Sequence, residues 1–225
     1  MRKIMFAAAF LAPVFACAQL GIGLKAGLNF ANVTNASSIN SSSQTGFVVG
    51  LFLAPNSKGV ISSRTEIDYS RQGYNYGSST NTGNVNLDYI LIPQLMGINI
   101  TKFVQLQIGA QMAFLINAKA DSSTSTGSTG SSPYGKLMDY YNKFDYGFAG
   151  GIEIHPFKGL LIGARYNISL GNLYKDPSTL MTGGSFTTPP SFIPKVDVKN
   201  NVLQIFIGWK FGGNSSSKKK SNEKN

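Results

Sequence analysis

The side chains that could do chemistry in this chain are few. His155 is the sole histidine and Cys17 the sole cysteine among 225 residues. A Ser/His/Asp system needs its imidazole within hydrogen-bond reach of a nucleophile and of an orienting acid. His155 precedes Pro156 in a short turn with no obvious partner of either kind, so no catalytic residue is assigned. No His/Cys/Asp/Glu cluster has ligand spacing, and the acidic residues around Asp121 are too sparse for a calcium loop, so no metal is expected. The glycines of Gly21-x-Gly23 and Gly147-x-x-Gly150-Gly151 fall inside alternating segments, where they relieve crowding. They are not a phosphate-cradling loop, and no cofactor is expected. What remains is a charge set: Lys25, Arg64, Lys143 and Arg165 against Glu66, Asp68, Asp145 and Glu153. These residues could line a proton or ion path, or they could pair with one another and fill space.

The elements that must position them have a period of two. In the first, Ile22, Leu24, Ala26, Leu28 and Phe30 alternate with Gly21, Gly23, Lys25, Gly27 and Asn29; in the last, Leu203, Ile205, Ile207, Trp209 and Phe211 alternate with Gln204, Gly208 and Lys210. Similar alternation marks 104–120, 142–155 and 160–173. Three segments are less regular: 46–54 is apolar on both faces, 60–73 carries Arg64, Glu66 and Asp68, and 86–101 contains Pro93. Proline cannot donate to a ladder, so Pro93 should mark a bulge, a strand end or a kink. The sequence thus predicts eight strands. Short links at 55–59, 101–103 and 156–159 alternate with Ser/Thr/Asn/Gly-rich links at 32–45, 74–85, 121–141 and 172–200. Tight turns at one end and long loops at the other are the arrangement of outer-membrane barrels.

Residues 1–18 read as a secretory signal: Arg2 and Lys3, an apolar run, then Ala16-Cys17-Ala18, with cleavage expected between Ala18 and Gln19. Cys17 leaves lipoprotein-type processing open as an alternative. After this segment no run of eighteen apolar residues follows, which excludes helical membrane spans. Size decides which strand face points inward. An eight-stranded barrel is barely wide enough for its own side chains, so the bulky apolar faces belong outside, in lipid, and the Gly, Ser, Asn and Gln faces inside. A lipocalin-like soluble barrel would invert this. A narrow, low-dielectric lumen requires neutral pairing, which the four-against-four charge set supplies. Aromatic girdles are expected from Phe30, Phe47, Tyr74, Tyr140 and Tyr174 at the long-loop end and from Phe103, Phe157, Trp209 and Phe211 at the other.

Charged residues make up 13% of the chain against about 25% in ordinary globular proteins, yet the formal net charge is +10. A nucleic-acid binder would gather that excess on one accessible face. Here Arg2 and Lys3 leave with the signal, and the balance falls on Lys58, Lys102, Lys158 and Lys210 at the short-turn end and on the tail at 212–225. Nucleic acid is therefore not expected as a partner.

Gly23-Leu24-Lys25-Ala26-Gly27-Leu28-Asn29-Phe30, Asp88-Tyr89-Ile90-Leu91-Ile92-Pro93 and Gly163-Ala164-Arg165-Tyr166-Asn167 resemble the strand motifs of the PorT-like outer-membrane β-barrel family of Bacteroidetes. The resemblance spans nearly the whole chain after the signal. It implies insertion by the barrel-assembly machinery, with Phe211 as the aromatic that ends the final strand. The residues GGNSSSKKKSNEKN beyond Phe211 depart from that pattern.

The expectation is an all-β, eight-stranded antiparallel transmembrane up-and-down barrel at 19–211, with short periplasmic turns, long extracellular loops and a disordered basic periplasmic tail at 212–225. It would reside in the Gram-negative outer membrane as a monomer among outer-membrane lipids. Its role would be structural or interactive, with an unidentified protein partner and a lumen filled by side chains. A small-ligand or lipid-binding transport barrel is the alternative, and a lipid-modifying enzyme a more distant one.

Overall fold

The computed structural model describes residues 20–34, 41–55, 59–77, 82–122, 137–175, 181–182, 185–186 and 198–211. The expected signal with its Ala18/Gln19 junction, and the basic tail, lie outside the described residues. The strands are β1 (Leu20–Thr34), β2 (Ser42–Pro55), β3 (Ile61–Gly77), β4 (Thr82–Asn99), β5 (Val104–Ser122), β6 (Phe144–Ile154) and β7 (Leu160–Ser169), a small ribbon of β8 (Met181–Thr182) with β9 (Ser185–Phe186), and β10 (Lys199–Phe211). Neighbours in sequence pair antiparallel from β1 to β7, and β10 pairs with both β7 and β1, closing an eight-stranded up-and-down barrel. Closure leaves none of these eight strands with an unpaired edge.

The apolar stripe of each strand faces outward. Ile22, Leu24, Leu28 and Phe30 on β1, Leu203, Ile205, Ile207 and Trp209 on β10, and Phe144, Tyr146 and Phe148 on β6 are all exposed, while Lys25, Asn29, Gln204 and Glu153 between them are buried. A continuous exposed belt of this kind is an interaction surface, and a belt that encircles a closed barrel suits lipid. On β1 it runs from Ile22 to Phe30, about 20 Å along the axis at a strand tilt of about 40°, near the expected band of about 25 Å. Among the described residues no helix is long and apolar enough to cross a membrane.

Three expectations change. The 74–85 segment is not a long loop: β3 and β4 stay in register out to Gly77 and Thr82, so their connection shrinks to 78–81. Tyr74 continues the inward parity of Arg64, Glu66 and Asp68, and lies with Tyr174 inside the barrel mouth rather than in an outer girdle. Pro93 neither bulges nor ends β4. Its side chain faces inward, and the β3–β4 ladder omits the pairs between Thr65–Gln94 and Asp68–Leu91 without changing register, as a missing N–H requires. The irregularities fall elsewhere, in β2 between Ser43 and Val48 and in β5 at Ile116.

The three short turns are tied into one rim. The Asn99 amide donates to the Val60 carbonyl at 2.7 Å, His155 to Phe103 at 2.7 Å and Lys210 to Gly159 at 2.7 Å. Gly159 has φ +89°, a left-handed conformation that suits glycine in a tight turn.

Candidate functional site

The lumen holds six charges in two linked groups. Glu66 is the hub: its carboxylate lies 2.5 Å from Lys25 Nζ and accepts hydrogen bonds from Arg165 Nη1 at 2.7 Å and Nη2 at 3.0 Å, with Arg64 Nη1 at 3.6 Å. Lys25 also approaches Asp68 at 2.7 Å, but the carboxylate oxygens of Asp68 make no aligned hydrogen bond, so charge proximity alone holds this contact. Arg64 forms a two-pronged pair with Glu153, one prong at 2.8 Å between Nη2 and Oε2, the other between Nη1 and Oε1. Three cations face three carboxylates, the neutrality that a buried cluster requires.

Register explains how such large groups fit. Lys25 pairs across with Gly50 on β2 and Gly208 on β10, Arg165 with Gly151 on β6, and Glu153 with Gly163 on β7. Each long charged side chain therefore crosses the lumen over a neighbour that has none. A Cβ on Gly50 would strike the Asp68 carboxylate, and one on Gly163 would lie 2.9 Å from Glu153 Cγ. Two inward aromatics complete the packing. Arg64 lies over the Phe52 ring at 4.6 Å, and Lys25 and Arg165 both lie 5.0 Å from the Phe206 centroid.

Of the eight charges expected in the lumen, six are brought together and two are not. Lys143 is exposed: it precedes β6, which begins at Phe144, and only its carbonyl, which accepts the Leu115 amide at 2.8 Å, ties it to β5. Asp145 is half-buried at the long-loop end, where it accepts from Ser169 Oγ at 2.6 Å and from the Gly171 amide at 3.0 Å, away from the cluster. Another pair, Arg71 with Asp88, falls in strands on the outer face instead of in loops; Arg71 Nε lies 2.8 Å from Asp88 Oδ1, and Asn117 also donates to Asp88 at 2.9 Å.

Towards the long-loop end the lumen turns apolar. Val33, Val85, Leu87, Tyr89, Leu91, Leu115 and Leu173 pack around three tyrosines. The Tyr74 hydroxyl is 2.6 Å from that of Tyr174 and 3.0 Å from that of Tyr141, an internal polar knot in a greasy plug. Burial raises the pKa of Tyr141 and of Tyr174, which keeps both phenols protonated. The sequence reading missed this plug. Its signal was the double-sided apolar character of β4, where Val85, Leu87, Tyr89 and Leu91 face inward.

At the short-turn end the lumen opens into a cavity of about 780 Å³ between the turns, with Arg64 and Gln107 at its inner wall and Lys102, Lys158, Lys210 and His155 around its rim. His155 Nε2 is 3.5 Å from Glu153 Oε2, but burial holds its pKa below the usual histidine value despite that carboxylate, so at neutral pH the contact is not an ion pair. The His155–Glu153 contact by itself supplies no nucleophile. Among the described residues no three His, Cys, Asp or Glu side chains gather as metal ligands.

The chain matches the family described as outer membrane protein beta-barrel domain over residues 13–175. Among solved structures it is similar to neisserial surface protein A, at 15% identity with a TM-score of 0.47 over 84% of this chain and 97% of that one. It is also similar to Ail, the attachment invasion locus protein of Yersinia pestis, at 13% identity with a TM-score of 0.45 over 86% and 99%. No curated protein sequence matches the chain. A family match over more than half the sequence and a closed barrel with an apolar belt lead to one conclusion: the chain belongs to the outer membrane protein beta-barrel domain family, and its place is the cell outer membrane.

Proposed function

We propose that the protein is a non-enzymatic, monomeric outer-membrane barrel that acts as a scaffold or interaction partner, with a lumen sealed to solutes. One observation carries this reading: two successive obstructions, the Lys25–Glu66–Arg165 cluster and the plug around Tyr74, occupy the lumen in series. Eight strands leave no room for an aqueous channel beside such groups. The short turns face the periplasm and the long loops the exterior, as is general for these barrels. The motifs around Lys25, Asp88 and Arg165 favour the PorT-like branch, with insertion by the barrel-assembly machinery after removal of residues 1–18. Residues 19–211 are then the barrel and 212–225 a periplasmic basic tail. Co-purification from mild detergent would identify the protein partner.

The test has two parts. Outer-membrane fractionation followed by unheated electrophoresis should show a heat-modifiable band; recovery as a soluble periplasmic protein overturns the assignment. Liposomes containing the refolded barrel should swell no faster than empty ones in small sugars. Porin-like swelling would refute the sealed lumen. A lipid hydrolysis activity lost in His155→Ala would replace the scaffold reading with the enzymatic one.

A further inference from the structure

We propose that the cavity at the short-turn end is a binding site for a phosphate ester presented from the periplasm. The inference adds a ligand to the sealed scaffold proposed above and shares with it only the orientation of the barrel.

Charge comes first. Lys102 on the β4–β5 turn, Lys158 on the β6–β7 turn and Lys210 on β10 line the cavity, and among the described residues none has a carboxylate within ion-pair distance. Glu153 is the only described acid near them, and Arg64 already holds it through two contacts. Glu66 and Asp68 are taken up by Lys25 and Arg165. The other described acids, Asp88, Asp121, Asp139 and Asp145, lie towards the opposite end of their strands or in the connections there. Three ammonium groups thus border one concavity with no compensating charge. A one-signed cleft with low-dielectric walls focuses its field, and lipid around the barrel supplies such walls.

Scattered surface lysines would be solvated and mobile, but here the backbone that carries them is fixed. The amides of Asn99, His155 and Lys210 join the three turns and β10 in series, and Asn99 Nδ2 donates to the Gly59 carbonyl at 2.8 Å. The inner wall is built as well: Gln105 Nε2 donates to Asn99 Oδ1 at 2.7 Å and to Ser62 Oγ at 3.1 Å. A cavity of about 780 Å³ is far larger than an inorganic anion and falls in the range of small-molecule sites.

The donor type suits a phosphate. The one arginine here is committed to Glu153, so bidentate recognition by a guanidinium fork, which serves carboxylate and phosphate alike, does not operate at this site. Lysine ammoniums are compact point charges with rotatable donors, and three of them around one concavity match the higher charge and several oxygens of a phosphate better than a single carboxylate. The ligand is therefore a phosphate ester with an organic body, either an anionic phospholipid head group of the inner leaflet or a soluble periplasmic compound.

The test uses the full-length barrel refolded in zwitterionic micelles and titrated calorimetrically with glycerol 3-phosphate, with glycerol as the uncharged control. Binding should be specific to the phosphate and weaken several-fold from low to physiological salt. The triple variant Lys102→Gln, Lys158→Gln, Lys210→Gln should bind at least about tenfold more weakly, as loss of three phosphate contacts implies. A control triple at the other end, Lys119→Gln, Lys143→Gln, Lys175→Gln, carries the same charge change and should bind within twofold of wild type. If the first triple loses its heat-modifiable mobility, the three single variants take its place, each weakening binding two- to fivefold. No preference for the phosphate over glycerol, or equal losses in both triples, overturns the site. Repeating the titration in phosphatidylglycerol and phosphatidylcholine nanodiscs separates the sources. Loss of binding only in phosphatidylglycerol assigns the cavity to lipid head groups, and equal binding in both assigns it to a soluble ester. Liposome swelling with intact binding would refute the sealed lumen and leave this site standing.

Discussion

Neutralising Glu66 tests the lumen most directly, since its carboxylate is fully buried and touches Lys25, Arg165 and Arg64. Glu66→Gln keeps the shape and one acceptor but leaves three cations facing two carboxylates. Removing one member of a buried charge group costs about 3–5 kcal/mol because a charge is left uncompensated. That corresponds to about two to three and a half decades in the folding equilibrium. Asp68→Asn creates the same net charge, yet Asp68 makes a single ion contact and no aligned hydrogen bond, while Lys25 retains Glu66 at 2.5 Å. Its cost should be less than half as large. Adding Arg165→Met to Glu66→Gln restores the balance, two cations against two carboxylates, and should recover stability despite the loss of a second polar group. Urea unfolding in lipid vesicles, followed by fluorescence of the single tryptophan, Trp209, measures all four proteins. The reasoning fails if Glu66→Gln stays within about 1 kcal/mol of wild type, the scale of an exposed ion pair. It also fails if Asp68→Asn is the worse variant, or if the double variant is no more stable than Glu66→Gln alone.

Tyr74→Phe strips the hydroxyl that two buried phenols share, and should cost about 1–3 kcal/mol in the same unfolding assay while the band stays heat-modifiable. Gly50→Leu should prevent folding, because a side chain there enters the space of the Asp68 carboxylate; Gly150→Leu, on the outward face with its nearest atom 3.8 Å from a Cβ, should fold normally, and unheated electrophoresis of refolded samples decides between them. In a Cys17→Ser background, a membrane-impermeant maleimide should label Asp139→Cys on intact cells and Lys158→Cys only after the outer membrane is permeabilised; the reverse order would invert the barrel's orientation.

Much of the barrel was legible because alternation is a one-dimensional signal. Where one face is Ile, Leu and Phe and the other Gly, Gln and Asn, as in β1, β5 and β10, a strand and its two faces can be read directly. The lumen charges were legible for the same reason: Lys25, Arg64, Glu66, Asp68, Glu153 and Arg165 all occupy polar-face parity. Their partners were not, because pairing depends on which strands meet across the barrel. Glu66 and Arg165 lie on β3 and β7, and meet only because the barrel closes around its narrow lumen. Lys143 shows the opposite failure, since its parity is that of the inward face but it precedes the strand and its side chain is exposed.

The plug around Tyr74 was hidden by a different cause, and that cause explains how the lumen is divided. A strand in this barrel needs a polar inward face only where charges or amides fill the core. Where the inward face is also apolar, as along β4 from Val85 to Leu95, alternation disappears and the segment reads as irregular. Those residues lie beside the long-loop end, where β3, β4 and β5 continue past Arg71, Asp88 and Lys119, the first charged groups on their outer faces. Beyond that line the wall has left the apolar belt and its outer face is polar, so burial has to be found on the inner side. The charged half of the lumen therefore lies within the apolar belt and the greasy half above it, inverted relative to the surroundings at each level. A substitution that makes the plug polar, such as Leu87→Asn, should loosen the projecting β3–β4 hairpin to protease while leaving the belt-enclosed strands protected. Cleavage at 78–81 in that variant with uncleaved wild type would show that the plug holds the hairpin in place; equal cleavage of both would show that the backbone ladder alone suffices.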